Sequence, residues 1–372
     1  MLDVVVIGAG QAGLSAAYWL QRRGLRPWQD FVVLDRNEGP GGAWRHRWPA
    51  LTLGRAHGIH DLPGMRLGTP DPGTPASEIV SDYYGRYERE FALPIERPVQ
   101  VDRVESEGPE PDARLIVHAG ARRWRTRLVI SAAGTWTKPF VPHVPGMASF
   151  TGRQLRTVDF WDAEEFRGQH VIVVGGGLSA VQFILMLEQA GADTTWSTRR
   201  ELDWVEDPFD ERWGVAVEER VDARASAGLV PYSVVRNTGI PPWPEYLAAR
   251  DRGRLVSDGP LRRILPDAVE FASGEVVPAD AIVWATGFRA DLDHLAPLRL
   301  REPGGGIATR NVVEVARDER VLLVGYGASA STVGATRAGR TAALTALTRL
   351  TPRHRLAGTL DETVHWGTVP GN

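Results

Sequence analysis

Apolar residues run without interruption through Val4, Val5, Val6 and Ile7, and again through Val171, Ile172, Val173 and Val174. A short unbroken apolar run bounded by glycine predicts a strand buried on both faces of a parallel sheet. Each run enters a glycine turn and then a segment of helical periodicity, "LSAAYWLQRRG" stopping at Gly24 and "LSAVQFILMLEQAG" stopping at Gly191. A second strand closes each unit, "DFVVLDR" in the first and "DTTWSTRR" in the second. The chain therefore carries the same strand-turn-helix-strand pattern twice. Between them, "SEIVSDYYGRYEREFA" predicts an amphipathic helix, and "VQVDRVES", "ARLIVHAG" and "RRWRTRLVISAAG" alternate as a three-strand meander. "KPFVPHVPGM" reads as a linker, residues 201–260 as irregular, "AVEFASGEVV" and "DAIVWATGF" as returning strands. The end, "RVLLVGYGASASTVGATRAGRTAALTALTRL", reads as strand, loop and long helix.

The two turns are Gly8-x-Gly10-x-x-Gly13 and Gly175-x-Gly177-x-x-Ala180. In such a turn the first glycine allows a tight bend and the second lets a diphosphate approach the backbone. The third position is small so that helix and strand pack closely. Free N–H groups at the helix start then receive the phosphates, here from Gln11 and Ala12 in one unit and Leu178 and Ser179 in the other. The second strands separate the ligands. Asp35 stands where a carboxylate accepts bonds from an unphosphorylated ribose, followed by Arg36. The matching place in the second unit holds Arg199 and Arg200, whose guanidinium groups suit a 2′-phosphate. The first site is thus expected to take FAD and the second NADPH, a pairing that makes chemical sense because a flavin accepts hydride and hands electrons onward.

Composition narrows the rest. A net charge of −3 over 372 residues gives no electrostatic case for nucleic acid or an anionic membrane. No apolar run spans a bilayer, so a cytoplasmic location is the expectation. The chain contains no cysteine, which excludes disulfides, thiolate metal sites and electron transfer through a cysteine pair. His57 and His60 lack a third ligand, so no metal is expected, and "VEDPFDER" reads as a solvated loop. Thirteen tryptophans, several between residues 196 and 243, serve either as core packing or as an aromatic pocket.

The sequence resembles the flavin-containing monooxygenases, a group that includes Baeyer–Villiger and YUCCA-type enzymes. The likeness covers nearly the whole chain: the first turn, the Gly41-Gly42-Ala43-Trp44 segment, "TPASEIVSDYYGRYEREFALPI", Val101, "WATGFR" with Thr286 and Gly287, and the last segment with Gly325 and Gly327. Gly42, Ala43, Trp44, Val101, Gly134, Gly325 and Gly327 then match FAD-binding positions, and Thr286 and Gly287 the crossing between units. The family's F-x-G-x-x-x-H-x-x-x-W/Y stretch is here Phe150, Gly152, Arg156 and Phe160, with arginine at the histidine position. Arg156 is open to two readings, a contact to the nicotinamide nucleotide or a surface structural arginine. No match exists for the asparagine common in N- and S-oxidising members, and Trp136 lies nearby.

The resemblance implies an α/β protein with two Rossmann-like domains, an FAD domain (1–148 and 289–372) holding an inserted NADPH domain (149–288, with an insertion at about 201–260). It implies oxygenation of a small organic substrate by O2 through a C4a-(hydro)peroxyflavin. The alternative is an NADPH oxidase or reductase that inserts no oxygen, and the third option a nucleotide-binding regulator. No catalytic residue, substrate or oligomeric state follows from the sequence.

Overall fold

The computed structural model describes residues 1–56, 59–202, 204, 221–232 and 239–351. Five parallel strands form the centre of the larger sheet, in the order Val321–Leu323, Arg122–Ser131, Leu2–Ile7, Phe31–Leu34 and Ile95–Glu96. The antiparallel strands Arg103–Ser106 and Leu115–Ala119 extend from Arg122–Ser131, as the alternating meander predicts. Val4, Val6, Ile130 and Leu322 point to one side and Val5, Val129 and Leu323 to the other, and each side has its own apolar cluster. That two-sided burial is what the unbroken apolar runs demand.

A smaller parallel sheet has the order Arg153–Arg156, Ala281–Trp284, His170–Val174 and Asp193–Ser197. Helix α3 (Leu178–Ala190) covers one face through Val181, Phe183, Ile184 and Leu187, and ends at Gly191 in a left-handed conformation. The edge strand Arg153–Arg156 has only one buried position, Leu155, so its sequence carries no apolar run. Residues 201–260 are less irregular than their composition implies. Among those described, Pro244–Asp251 is a helix with proline in its first turn. Its Tyr246 joins Trp196, Trp204 and Trp243 in the cluster beneath α3, so these aromatic side chains pack the core.

Helix α1 (Gln11–Arg22) is followed in sequence by the strand Phe31–Leu34, and α2 (Ala76–Glu90) lies alongside. The final helix, Thr332–Leu350, packs on α1 at very short range. A Cβ on Gly339 would stand 2.5 Å from the Ala12 carbonyl oxygen and 2.7 Å from the Ser15 Cβ.

One buried polar group couples this fold to pH. His294 shares a 2.9 Å hydrogen bond with the Ser131 hydroxyl, and its burial lowers its pKa from 6.5 to about 4. Unfolded chains therefore bind a proton below pH 6.5 that the folded protein refuses until about pH 4, so stability falls as pH drops through that window. Melting curves between pH 7 and 4.5 are expected to show this decline, and His294→Gln to flatten part of it.

Candidate functional site

The first turn is built by close backbone contact. Gly8 has φ +101°, and a Cβ there would lie 2.5 Å from the Ala132 carbonyl oxygen on the neighbouring strand. A Cβ on Gly13 would sit 1.9 Å from the Gly8 carbonyl oxygen, so the helix can meet the strand only without a side chain. Around a Cβ on Gly10 there is nothing within 4 Å. The middle glycine thus faces open space above the helix start, the place a diphosphate needs. Gly42 closes one flank, its own Cβ position falling 2.9 Å from the Gly10 Cα. The glycine-tryptophan segment therefore lies directly against the turn.

Asp35 is buried beside this space. Its Oδ2 accepts 2.8 Å from Arg97 Nε, while Asn37 Nδ2 stands 3.5 Å from Oδ1. Arg97 also forks onto Glu88 at 2.7 Å from both terminal nitrogens. All three side chains are largely buried. Arg97 and Glu88 went unseen in the sequence because their partner lies 62 residues from Arg97, and no local pattern marks it. Removing the guanidinium would leave two carboxylates without a counter-charge, which typically costs about 3–5 kcal/mol. Arg97→Met is expected to lower the denaturation midpoint accordingly, measured by urea unfolding.

Gln11 does not face the open space with its side chain. Its Nε2 donates to the His60 carbonyl (2.8 Å) and to Thr336 Oγ1 (2.9 Å), and its Oε1 accepts from the Tyr84 hydroxyl (2.5 Å). Tyr83 and Tyr87 donate to the carbonyls of Met65 and Pro63. Three tyrosines of α2 thereby hold the 60–65 loop beside the first turn, and only the backbone of Gln11 is left for a ligand. Arg36 pairs with Asp291 at 3.6 Å. Val101 is buried in the apolar cluster beneath the sheet. Ala43 is exposed and Trp44 half-buried. Gly325 has φ +70°, and a Cβ there would stand 3.8 Å from the Gly134 Cα, so the last segment passes close to the end of the strand Arg122–Ser131. Gly327 follows it, with φ +59°.

The second turn repeats the construction. Gly175 has φ +134°, and a Cβ there would stand 2.2 Å from the Ala285 carbonyl oxygen. Ala180 is fully buried, Leu178 nearly so, and Gly177 and Ser179 half-buried at the start of α3. Beyond the strand Asp193–Ser197, Arg199 and Arg200 are exposed and have no acidic partner among the described residues. The loop 255–259, unsuspected in the sequence, shapes this end. Ser257 Oγ accepts from the Thr198 backbone N–H at 3.1 Å and lies 2.8 Å from Thr198 Oγ1.

Two chain crossings link the sheets and are paired to each other. Phe140 N–H donates to the Gly287 carbonyl and Arg289 N–H to the Lys138 carbonyl, both at 2.8 Å. Thr286 Oγ1 donates to the Phe140 carbonyl. Trp136 stacks on Phe288 across this pair, with ring centres 5.1 Å apart.

Arg156 ends the edge strand and forks onto Asp159 at 2.7 and 2.8 Å. That pair braces a turn, as the structural reading of Arg156 expects. The carbonyl of His60 is bound by Gln11, and His57 lies outside the described residues, as does the whole of 205–212. Among the described residues no group of three or more histidine, cysteine, aspartate or glutamate side chains could hold a metal, and no helix is long and apolar enough to cross a membrane.

Two parallel sheets, each with a glycine turn between a strand and a helix, form the site's frame. The family model of the pyridine nucleotide-disulphide oxidoreductases matches residues 5–225. The chain belongs to this family. It is also a flavin-dependent oxidoreductase of the monooxygenase type, as the following similarities establish. A flavin-containing monooxygenase from Stenotrophomonas maltophilia is 36% identical and superimposes with a TM-score of 0.79, over 94% of this chain and 99% of that one. An uncharacterized CzcO-like oxidoreductase from Geobacillus kaustophilus is 25% identical over 85% of this chain and 89% of its own. Trimethylamine monooxygenase from Pelagibacter ubique is 26% identical over 59% and 54%. A bacillithiol disulfide reductase from Staphylococcus aureus, at 17% identity and a TM-score of 0.66, shares the fold. With no cysteine anywhere in the sequence, this enzyme has no dithiol with which to relay electrons.

Proposed function

We propose that the enzyme uses FAD at the first turn and NADPH at the second to oxygenate a small organic substrate with O2. Residues 1–148 and 289–372 would form the flavin unit and 149–288 the nucleotide unit. The observation that carries this reading is the matched pair of glycine turns, each closed on a neighbouring strand, with different charge at their second strands. One has a buried carboxylate, Asp35, and the other two exposed arginines, Arg199 and Arg200, with no acidic partner among the described residues.

The residues fit the two groups. Gly8, Gly10, Gly13 and the backbone of Gln11 and Ala12 would hold the FAD diphosphate, Asp35 its ribose, and Gly42, Gly134 and Gly325 its remaining length. Gly175, Gly177 and the N–H groups of Leu178 and Ser179 would hold the NADPH diphosphate. FAD supplies the acceptance of hydride and the delivery of electrons to O2. The protein itself positions and excludes water: Trp44, Trp136 and Phe288 place apolar surface where the flavin loop and the crossings meet. A dry, oriented site suits oxygenation, which needs little acid-base machinery from side chains. The established monooxygenase relationship and the lack of cysteine support it further.

The arginine at the family's histidine position, tied to Asp159, favours the second reading, an NADPH oxidase that inserts no oxygen. The yield of H2O2 per NADPH consumed decides between them. With a substrate present, a yield well below one supports oxygenation. A yield near one with every amine, sulfide and ketone tried would replace it with the oxidase reading.

A further inference from the structure

Arg47 stands apart from the other buried arginines. Its guanidinium carbon lies 4.2 Å from the ring centre of Trp136, 5.6 Å from that of Trp44 and 6.0 Å from that of Trp48. Its Nε is sealed from solvent without a hydrogen-bond partner among the described residues, and the side chain as a whole remains partly accessible. Arg97 and Arg320, comparably covered, both fork onto carboxylates. Arg47 meets none among the described residues, and burial alone lowers its pKa to about 10 with no nearby charge raising it.

Burying a cation without a counter-ion costs several kcal/mol. The faces of three indoles return part of that, about 2 kcal/mol for a desolvated cation-ring contact. A leucine or methionine would fill the same space without the penalty. What the guanidinium adds is a planar fork of donors suited to two oxygens of one anion. The place matters as well. Trp44 follows Gly42 by two residues and Trp136 follows Gly134 by two, while Trp136 stacks on Phe288 beside Gly287. Arg47 thus sits where the flavin loop meets the chain crossings.

We propose that Arg47 and its tryptophan cage form an oxyanion site, which takes the carboxylate or phosphate of a bound ligand while the indoles cover that ligand's apolar body. The oxyanion is that of an organic acid substrate or that of the pyridine nucleotide. The inference concerns binding and holds whether the enzyme oxygenates or merely oxidises, so a readout without turnover separates the two questions.

The holoenzyme is titrated with sodium benzoate, with benzamide and with NADP+, following quenching of tryptophan fluorescence. Arg47→Met and Arg47→Lys are compared with wild type, and thermal melting monitors folding. Wild type is expected to bind benzoate at least tenfold more tightly than benzamide. Arg47→Met weakens benzoate by about tenfold to a hundredfold, the range of hydrogen bonds to a charged group, and Arg47→Lys retains part of it. Unchanged NADP+ binding assigns the site to a substrate acid; weakening of NADP+ in Arg47→Met with partial rescue by lysine assigns it to the nucleotide. Wild type that prefers benzamide or binds neither anion, or Arg47→Met that binds both as wild type does, overturns the proposal.

Discussion

Gly175→Ala is expected to abolish reduction of the flavin by NADPH while the purified protein stays yellow. At φ +134° the backbone occupies a region essentially closed to residues with a side chain. The new methyl would also stand 2.2 Å from the Ala285 carbonyl oxygen, a backbone atom at the end of a central strand. Neither neighbour can rotate away, so the turn must deform by moving the strand or the start of α3. The damage stays in the smaller sheet because Gly8, which shapes the other turn, touches Ala132 and not Ala285. Anaerobic stopped-flow reduction should slow by about a thousandfold or more, corresponding to roughly 4 kcal/mol. Gly8→Ala should do the reverse and yield colourless protein. Wild-type reduction rates in Gly175→Ala would falsify the assignment of the second turn to the pyridine nucleotide.

Arg199→Ser combined with Arg200→Ser is expected to erase a preference for NADPH over NADH. Both side chains are exposed and without acidic partners among the described residues, so their removal breaks no ion pair within the described residues. Each charge-assisted hydrogen bond to a phosphate contributes about 1.5–3 kcal/mol when desolvated and less at an exposed edge. The double variant should therefore lower kcat/KM for NADPH by about a hundredfold and leave that for NADH within about threefold. Raising ionic strength should weaken the wild-type preference in the same direction. Equal losses for both nucleotides would show that the arginines support the loop and do not read the phosphate.

Both expectations rest on features visible in the chain itself. Two apolar runs ending in glycine announced the two parallel sheets, and the spacing of Gly8, Gly10 and Gly13 announced close backbone approach, because those constraints are local. The position of Asp35 was legible for the same reason, directly after the strand Phe31–Leu34. Its partner Arg97 was not, nor were the hydroxyls of Tyr83, Tyr84 and Tyr87. These meet their partners only after α2 folds back on the first turn, and tyrosines on an amphipathic helix look the same whether they pack or donate. The edge strand Arg153–Arg156 escaped notice because one neighbour suffices to pair it and little of it is buried. Arg156 attracted attention through a resemblance, and geometry then gave it to Asp159. Arg47 shows the converse limit. An arginine between tryptophans reads as ordinary until three-dimensional proximity shows that no acid accompanies it.

The pairing of Val321–Leu323 with Val129–Ser131 dictates an order of assembly on the ribosome. The strands Leu2–Ile7, Phe31–Leu34 and Arg122–Ser131 are made before the smaller sheet, yet the strand Val321–Leu323 that pairs with Arg122–Ser131 and the helix Thr332–Leu350 that packs on α1 are made after it. Meanwhile every strand of the smaller sheet, from Arg153 to Trp284, has already been released and can close on itself. Until residues 321–350 are made, the apolar surface beside Arg122–Ser131 and α1 is only partly covered, and such transiently exposed surface and unpaired strand edges are what make growing chains prone to aggregate.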